Sequence, residues 1–149
     1  MTPALFLTAL SGAVVSSLVP VVNAELLLMG LALASPAAAP LLVVAMAAGQ
    51  MVGKSILFLG GGRLTRASLE TRLARWGLDR PGRRAGAPLV GISALTGLPP
   101  FYLVSIAAPA LGVSFRTFLA LGFVGRLLRF GALVALPLLI AHATRIGGL

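Results

Sequence analysis

The 149-residue chain has no cysteine, one histidine and three carboxylates. Without cysteine it has no disulfide framework and no thiolate chemistry. A single histidine, His142, rules out a histidine-based metal cluster. Glu25, Glu70 and Asp79 are too few and too scattered for a carboxylate metal cage or a paired-acid hydrolase, so neither a metal site nor a cofactor is expected. Charge of either sign is scarce as well. Only 10% of residues are charged, against about 25% in a soluble domain. Such a chain has too few polar groups to cover a surface facing water.

What fills the sequence instead is apolar: 58% hydrophobic residues and a mean hydropathy of +1.04. Lipid is the solvent that fits. The expected fold is an all-α integral membrane protein, one membrane domain over residues 1–149, since no polar stretch is long enough to fold apart. The N-terminal apolar run has no basic leader and reads as retained.

The net charge of +9 raises the question of nucleic acid. Placement answers against it. Arg63, Arg66, Arg72, Arg75, Arg80, Arg83 and Arg84 fall in one segment, 63–86, between apolar stretches. That pattern places a loop on the cytoplasmic side, where it can also meet anionic headgroups. Within it, Leu69, Leu73 and Trp76 share a helical face. The segment is therefore either a short interfacial helix or a solvated connector.

A crossing helix needs about 20 apolar residues. The first half, 1–62, opens with a long apolar stretch, Ala4 to Ala34, broken at Pro20 and followed by Asn23 and Glu25. A turn at Ser35–Pro40 leads to a second stretch, Leu41 to Gly62, with Gly60, Gly61 and Gly62 as a flexible exit. The second half, 87–149, repeats the outline. Ala87 to Val113 is broken at Pro99 and Pro100, and Phe115 to Ala141 follows. That last stretch is one crossing, or an interfacial segment and then a crossing. The two broken stretches read as re-entrant helix pairs. If both are re-entrant, the halves form an inverted repeat with a site near the midplane.

Glu25 is the most informative residue. A carboxylate beside a break in an apolar stretch is costly unless it is paired, hydrated or protonated. It can serve as a proton-binding group, meet a cationic headgroup, or merely mark a surface turn. Lys54 lies about 13 Å along a helix from Arg63. It either snorkels or stays buried, and pairing with Glu25 is one expectation. Gly49 and Gly53 permit close helix packing, and Gln50 can hydrogen-bond across that contact. Arg126 and Arg129 share a helical face. They fit a lipid phosphate, or anchor a helix end. Gly53-Lys54-Ser55 imitates the tail of a nucleotide-binding loop, but its upstream glycine is Ala48. Ser11, Ser16 and Ser17 lack partners for nucleophilic chemistry, so no enzyme is expected.

These segments resemble the DedA/VTT family of membrane proteins (SNARE-associated Golgi protein-like), nearest to its short YqaA-like branch. The likeness runs from about Ser11 to Leu133. Ser16-Ser17-Leu18-Val19-Pro20 through Glu25-Leu26-Leu27-Leu28 resembles the family's proline-and-acid motif. Gly49 through Lys54 and on to Gly62-Arg63 resembles its glycine-rich segment. Thr96-Gly97-Leu98-Pro99-Pro100-Phe101 and Phe118 to Arg129 resemble the second break and closing motif. The resemblance implies a bacterial inner-membrane protein that moves lipids, with undecaprenyl phosphate or a phospholipid as cargo and protons as coupling ion. It assigns Glu25 to the first re-entrant segment, Arg63 to the basic end of the glycine-rich segment, and Arg126 with Arg129 to the closing motif. One departure stands out: longer members carry arginines around the second break, where Thr96 to Tyr102 has no charge. Substrate- or proton-binding groups are thus expected among Glu25, Asn23, Gln50, Lys54, Arg63, Arg126 and Arg129. The expected partners are membrane lipids and not nucleic acid, and a homo-oligomer stays open. A proton-coupled solute transporter and a non-transporting scaffold are the rival expectations.

Overall fold

The computed structural model describes residues 2–19, 23–75 and 83–146. Among them are six α-helices and no strand: α1 (Pro3–Leu18), α2 (Ala24–Ala34), α3 (Ala39–Arg75), α4 (Arg83–Thr96), α5 (Phe101–Ala107) and α6 (Phe115–Ile146). A 3-10 turn, Pro36–Ala38, joins α2 to α3. Pro20 and Trp76 lie outside the described residues, as do the side chains of Arg63 and His142.

Each short helix is bounded by local chemistry. Thr2 caps α1 through its hydroxyl, and Pro3 sits in the first turn, where its missing N–H costs nothing. Asn23 caps α2: its Oδ1 accepts from the amides of Glu25 (2.9 Å) and Leu26 (3.3 Å). The second break is Gly97–Pro100. Gly97 adopts φ +81°, a left-handed conformation open to glycine. Ser93 then donates to the carbonyl of Pro99, which ties the break back onto α4.

Both broken stretches are antiparallel hairpins. A Cβ on Gly12 of α1 would meet Leu27 of α2, while Thr2 and Leu5 line one cavity with Ser35 and Ala38. Gly86, early in α4, approaches Leu111 and Val113 just beyond α5. Each hairpin's first helix runs parallel to the long helix of its own half. Gly49 of α3 packs on Leu10 and Ala13, and Gly53 packs on Val14 and Ser17. Gly125 of α6 packs on Ala94, next to Leu95. The long helices run antiparallel to one another: Met51 meets Gly122, and the ring of Phe58 packs, tilted, against those of Phe118 and Phe115.

Two long helices are apolar enough to cross a membrane, over Pro36–Gly62 and Phe115–Pro137. The outward faces are apolar too: Leu7, Leu26, Leu33, Ile56, Leu59 and Leu128 are all exposed. Polar side chains go inward instead, with Ser16, Ser17, Gln50, Lys54 and Arg126 buried. Two apolar clusters flank this polar layer. One gathers Ala13, Leu28, Leu42, Met46 and Phe130; the other gathers Met51, Val90, Ala94, Phe101 and Phe118.

Two sequence expectations change. Gly60–Gly62 do not end the second stretch, because α3 continues as one helix to Arg75. Glycine in a helix costs up to about 1 kcal/mol each. Here a Cβ on Gly61 would stand 2.6 Å from the Ile106 carbonyl oxygen near the end of α5, and Gly62 lies against Pro109, so close packing offsets that cost. As a result, residues 63–75 form neither a separate interfacial helix nor a loop. The last stretch is likewise one unbroken helix, which passes through Arg116 and Pro137.

A Cβ on Gly125 would lie 2.7 Å from the Ala94 Cβ and 3.1 Å from α4 backbone atoms. Backbone cannot yield as a flexible side chain does. Gly125→Val should cost about 1–3 kcal/mol through overpacking. Thermal denaturation of the detergent-solubilised protein checks this, and an unchanged midpoint would contradict the close α4–α6 approach.

Candidate functional site

Gln50 and Lys54 are four residues apart on α3 and so share one face, the face that Gly49 and Gly53 bring close to α1. Lys54 donates from Nζ to the carbonyl of Ser17 (2.6 Å) in the last turn of α1. Carbonyls there lack helical partners and carry the negative end of the helix dipole, so a lysine is well placed to cap them. The same Nζ lies 5.2 Å from the centre of the Tyr102 ring. Gln50 donates from Nε2 to the Ser16 hydroxyl (3.2 Å), while its Oε1 is buried without a partner.

Arg126 enters from α6. It lies midway along Phe115–Pro137, about 16 Å along the axis from each end. Its guanidinium stands 4.8 Å from the centre of the Phe101 ring and 5.9 Å from that of Phe130. Such cation–ring contacts offset part of the burial cost. It is only 9% exposed, and its Nε has no hydrogen-bond partner.

Arg129, one turn further, does different work. Its Nε donates to Glu25 Oε1 (2.7 Å), and its Nη2 contacts the same oxygen. Its Nη1 donates to the carbonyl of Leu95 (3.3 Å) at the end of α4. The guanidinium also rests where a side chain on Gly97 would stand. One arginine therefore joins the start of α2 to the tip of the second hairpin.

The expected Glu25–Lys54 pair does not form. Glu25 projects from the first turn of α2 to Arg129 on α6, and Lys54 turns to the end of α1. Asn23 spends its side-chain oxygen on the α2 cap. Both partners of the Glu25–Arg129 pair are less than a third exposed. A double-mutant cycle with Glu25→Gln and Arg129→Gln should give a coupling of about 1 kcal/mol in unfolding free energy. Strict additivity would contradict the pair.

Glu25, Asn23, Gln50, Lys54 and Arg126 line one cavity of about 330 Å³, together with Ser16 and Pro100–Tyr102. Around it stand three cations, Lys54, Arg126 and Arg129, and one carboxylate, Glu25. Arg129 takes that carboxylate as its ion-pair partner, which leaves Lys54 and Arg126 without an ion pair of their own among the described residues, although Glu25 still attracts Arg126 across the cavity. Ser16, Phe101 and Tyr102 were not singled out from sequence as site residues. The signal for the last two was positional: they follow the second break as Ala24 and Glu25 follow the first. The side chain of Arg63 is outside the described residues, and no role falls to it here.

No protein-family model, curated protein or solved structure matches the chain.

Proposed function

We propose that the chain is a multi-pass membrane protein that moves phosphate-bearing lipids between leaflets without covalent chemistry. The carrying observation is the cavity with two buried cations and no free carboxylate, set between two helices long enough to cross a bilayer. Charges at that depth are costly and call for a counter-ion. A lipid phosphate supplies one, and guanidinium and ammonium are suited to its oxygens. The cavity accommodates a headgroup and no acyl chain.

In this reading the two hairpins are re-entrant and the halves form an inverted repeat. Several pairings support it. Gly53 on α3 packs near the end of α1, whose carbonyl Lys54 caps, as Gly125 on α6 packs near the end of α4, whose carbonyl Arg129 caps. Tyr102 stands beside Lys54 just after the second break, as Glu25 lines the same cavity as Arg126 just after the first. The antiparallel α3 and α6 relate the halves in opposite senses. The basic segment 63–86 lies on the cytoplasmic side of a bacterial plasma membrane, in keeping with the arginine bias and the DedA/VTT resemblance.

Reconstitution tests the proposal. Vesicles holding the protein and acyl-tagged phosphatidylglycerol should expose inner-leaflet tag to an impermeant quencher faster than protein-free vesicles. Uptake of free phosphate without lipid movement would favour the solute transporter. Movement of neither, by folded protein, would favour the scaffold.

A further inference from the structure

The cavity holds an unmet acceptor as well as unmet donors. Ser16 spends its hydroxyl proton on the carbonyl of Ala13 (2.9 Å). Toward Gln50 it can therefore only accept. In this arrangement Nε2 of Gln50 faces Ser16 and Oε1 is left over. Gln50 is 5% exposed, and its Oε1 has no donor within reach. Across the same cavity the buried Nε of Arg126 has no acceptor. A buried polar atom left unpaired is disfavoured by roughly a factor of ten or more. Two such atoms of opposite kind, on residues that line one cavity beside two cations without ion pairs, describe a complementary ligand. It carries anionic oxygens for Arg126 and Lys54, and an O–H or N–H of its own for Gln50.

We propose that the headgroup taken up must offer a hydrogen-bond donor beside its phosphate, and that Gln50 is the residue that reads this donor. The inference rests on the lipid-moving role and narrows it. A phosphate monoester qualifies through its remaining P–OH, and a phosphoglycerol qualifies through its hydroxyls. A phosphodiester capped by a plain alkyl group does not. A quaternary ammonium headgroup fails twice, since it has no donor and brings a cation to a site already rich in positive charge.

The test holds net charge fixed while the donor is removed. Wild-type protein in vesicles is given acyl-tagged phosphatidylglycerol, phosphatidate or phosphatidylethanol. The first and last are both monoanionic diesters, and only the first has headgroup hydroxyls. Phosphatidylglycerol and phosphatidate should cross about five- to tenfold faster than phosphatidylethanol. Gln50→Met, which keeps the volume and loses the carbonyl, should bring the ratio close to one whatever the absolute rates become. Equal wild-type rates for phosphatidylglycerol and phosphatidylethanol would overturn the inference and leave lipid movement standing. So would a ratio that survives Gln50→Met. If no tagged lipid crosses faster than in protein-free vesicles, the lipid-moving role falls and the inference with it. The wild-type ratio decides even if the variant fails to fold.

Discussion

Arg126→Leu should cut lipid movement by about a hundredfold or more while leaving the fold as stable as before, or more so. The two halves of that expectation have one cause. Arg126 is buried midway along the Phe115–Pro137 span of α6, beside two phenylalanine rings, with no ion pair of its own and only the Arg129-paired Glu25 acting on it from across the cavity. A buried charge without an ion pair costs free energy, and an apolar residue of similar volume removes that cost. The loss of function follows from the same guanidinium. Charge-assisted hydrogen bonds to phosphate contribute about 1.5–3 kcal/mol each, and Arg126 can offer two or more to one headgroup. A purely structural arginine would behave the other way, with stability falling and transport following it. Thermal midpoints and flux in the same preparation separate the two cases. Intact flux in a stable Arg126→Leu protein would contradict the assignment.

Tyr102→Glu should be nearly as damaging, by about thirtyfold, for a different reason. Lys54 faces the ring of Tyr102 and has no carboxylate of its own. A glutamate at 102 would meet Lys54 much as Glu25 meets Arg129, and would occupy the place of the incoming phosphate. The surplus of positive charge would fall, and the headgroup would have to compete with a tethered carboxylate at high effective concentration. Tyr102→Gln has nearly the same shape without the charge and should lose far less. Equal losses in the two variants would trace the effect to the lost ring instead of the added carboxylate.

Much of this architecture was legible because breaks in apolar helices need few residue types. The break at Pro99 and Pro100 falls between α4 and α5, and the one before Glu25 falls between α1 and α2, where Asn23 caps α2, a role its polarity alone does not reveal. The long stretches were harder. Three consecutive glycines read as an exit by propensity, yet α3 runs through them, since Gly61 and Gly62 let α5 pack closely. Tertiary packing outweighs local preference there, and nothing in residues 60–62 alone reveals it. The identity of the charged residues near the cavity was legible, since charges in apolar stretches are few. Their pairing was not. Glu25 and Arg129 are 104 positions apart, and which of three cations takes the one carboxylate depends on how the halves face each other. Lys54, nearer in sequence, was the natural expectation for Glu25. It goes instead to a helix end, a partner that side-chain charge alone does not suggest.

If a lipid phosphate sits against the buried cations, one nucleus reports on it alone. Lys54 is the only lysine in the chain, so lysine labelled with nitrogen-15 at Nζ gives a single side-chain ammonium signal. Solid-state dipolar recoupling between that nitrogen and phosphorus-31 can be measured in bilayers containing phosphatidylglycerol. Clear dephasing is expected, from phosphorus about 4 Å away, as a charge-assisted contact requires. Tyr102→Glu should abolish the dephasing. An Nζ signal that phosphorus leaves untouched in wild-type bilayers would contradict the contact.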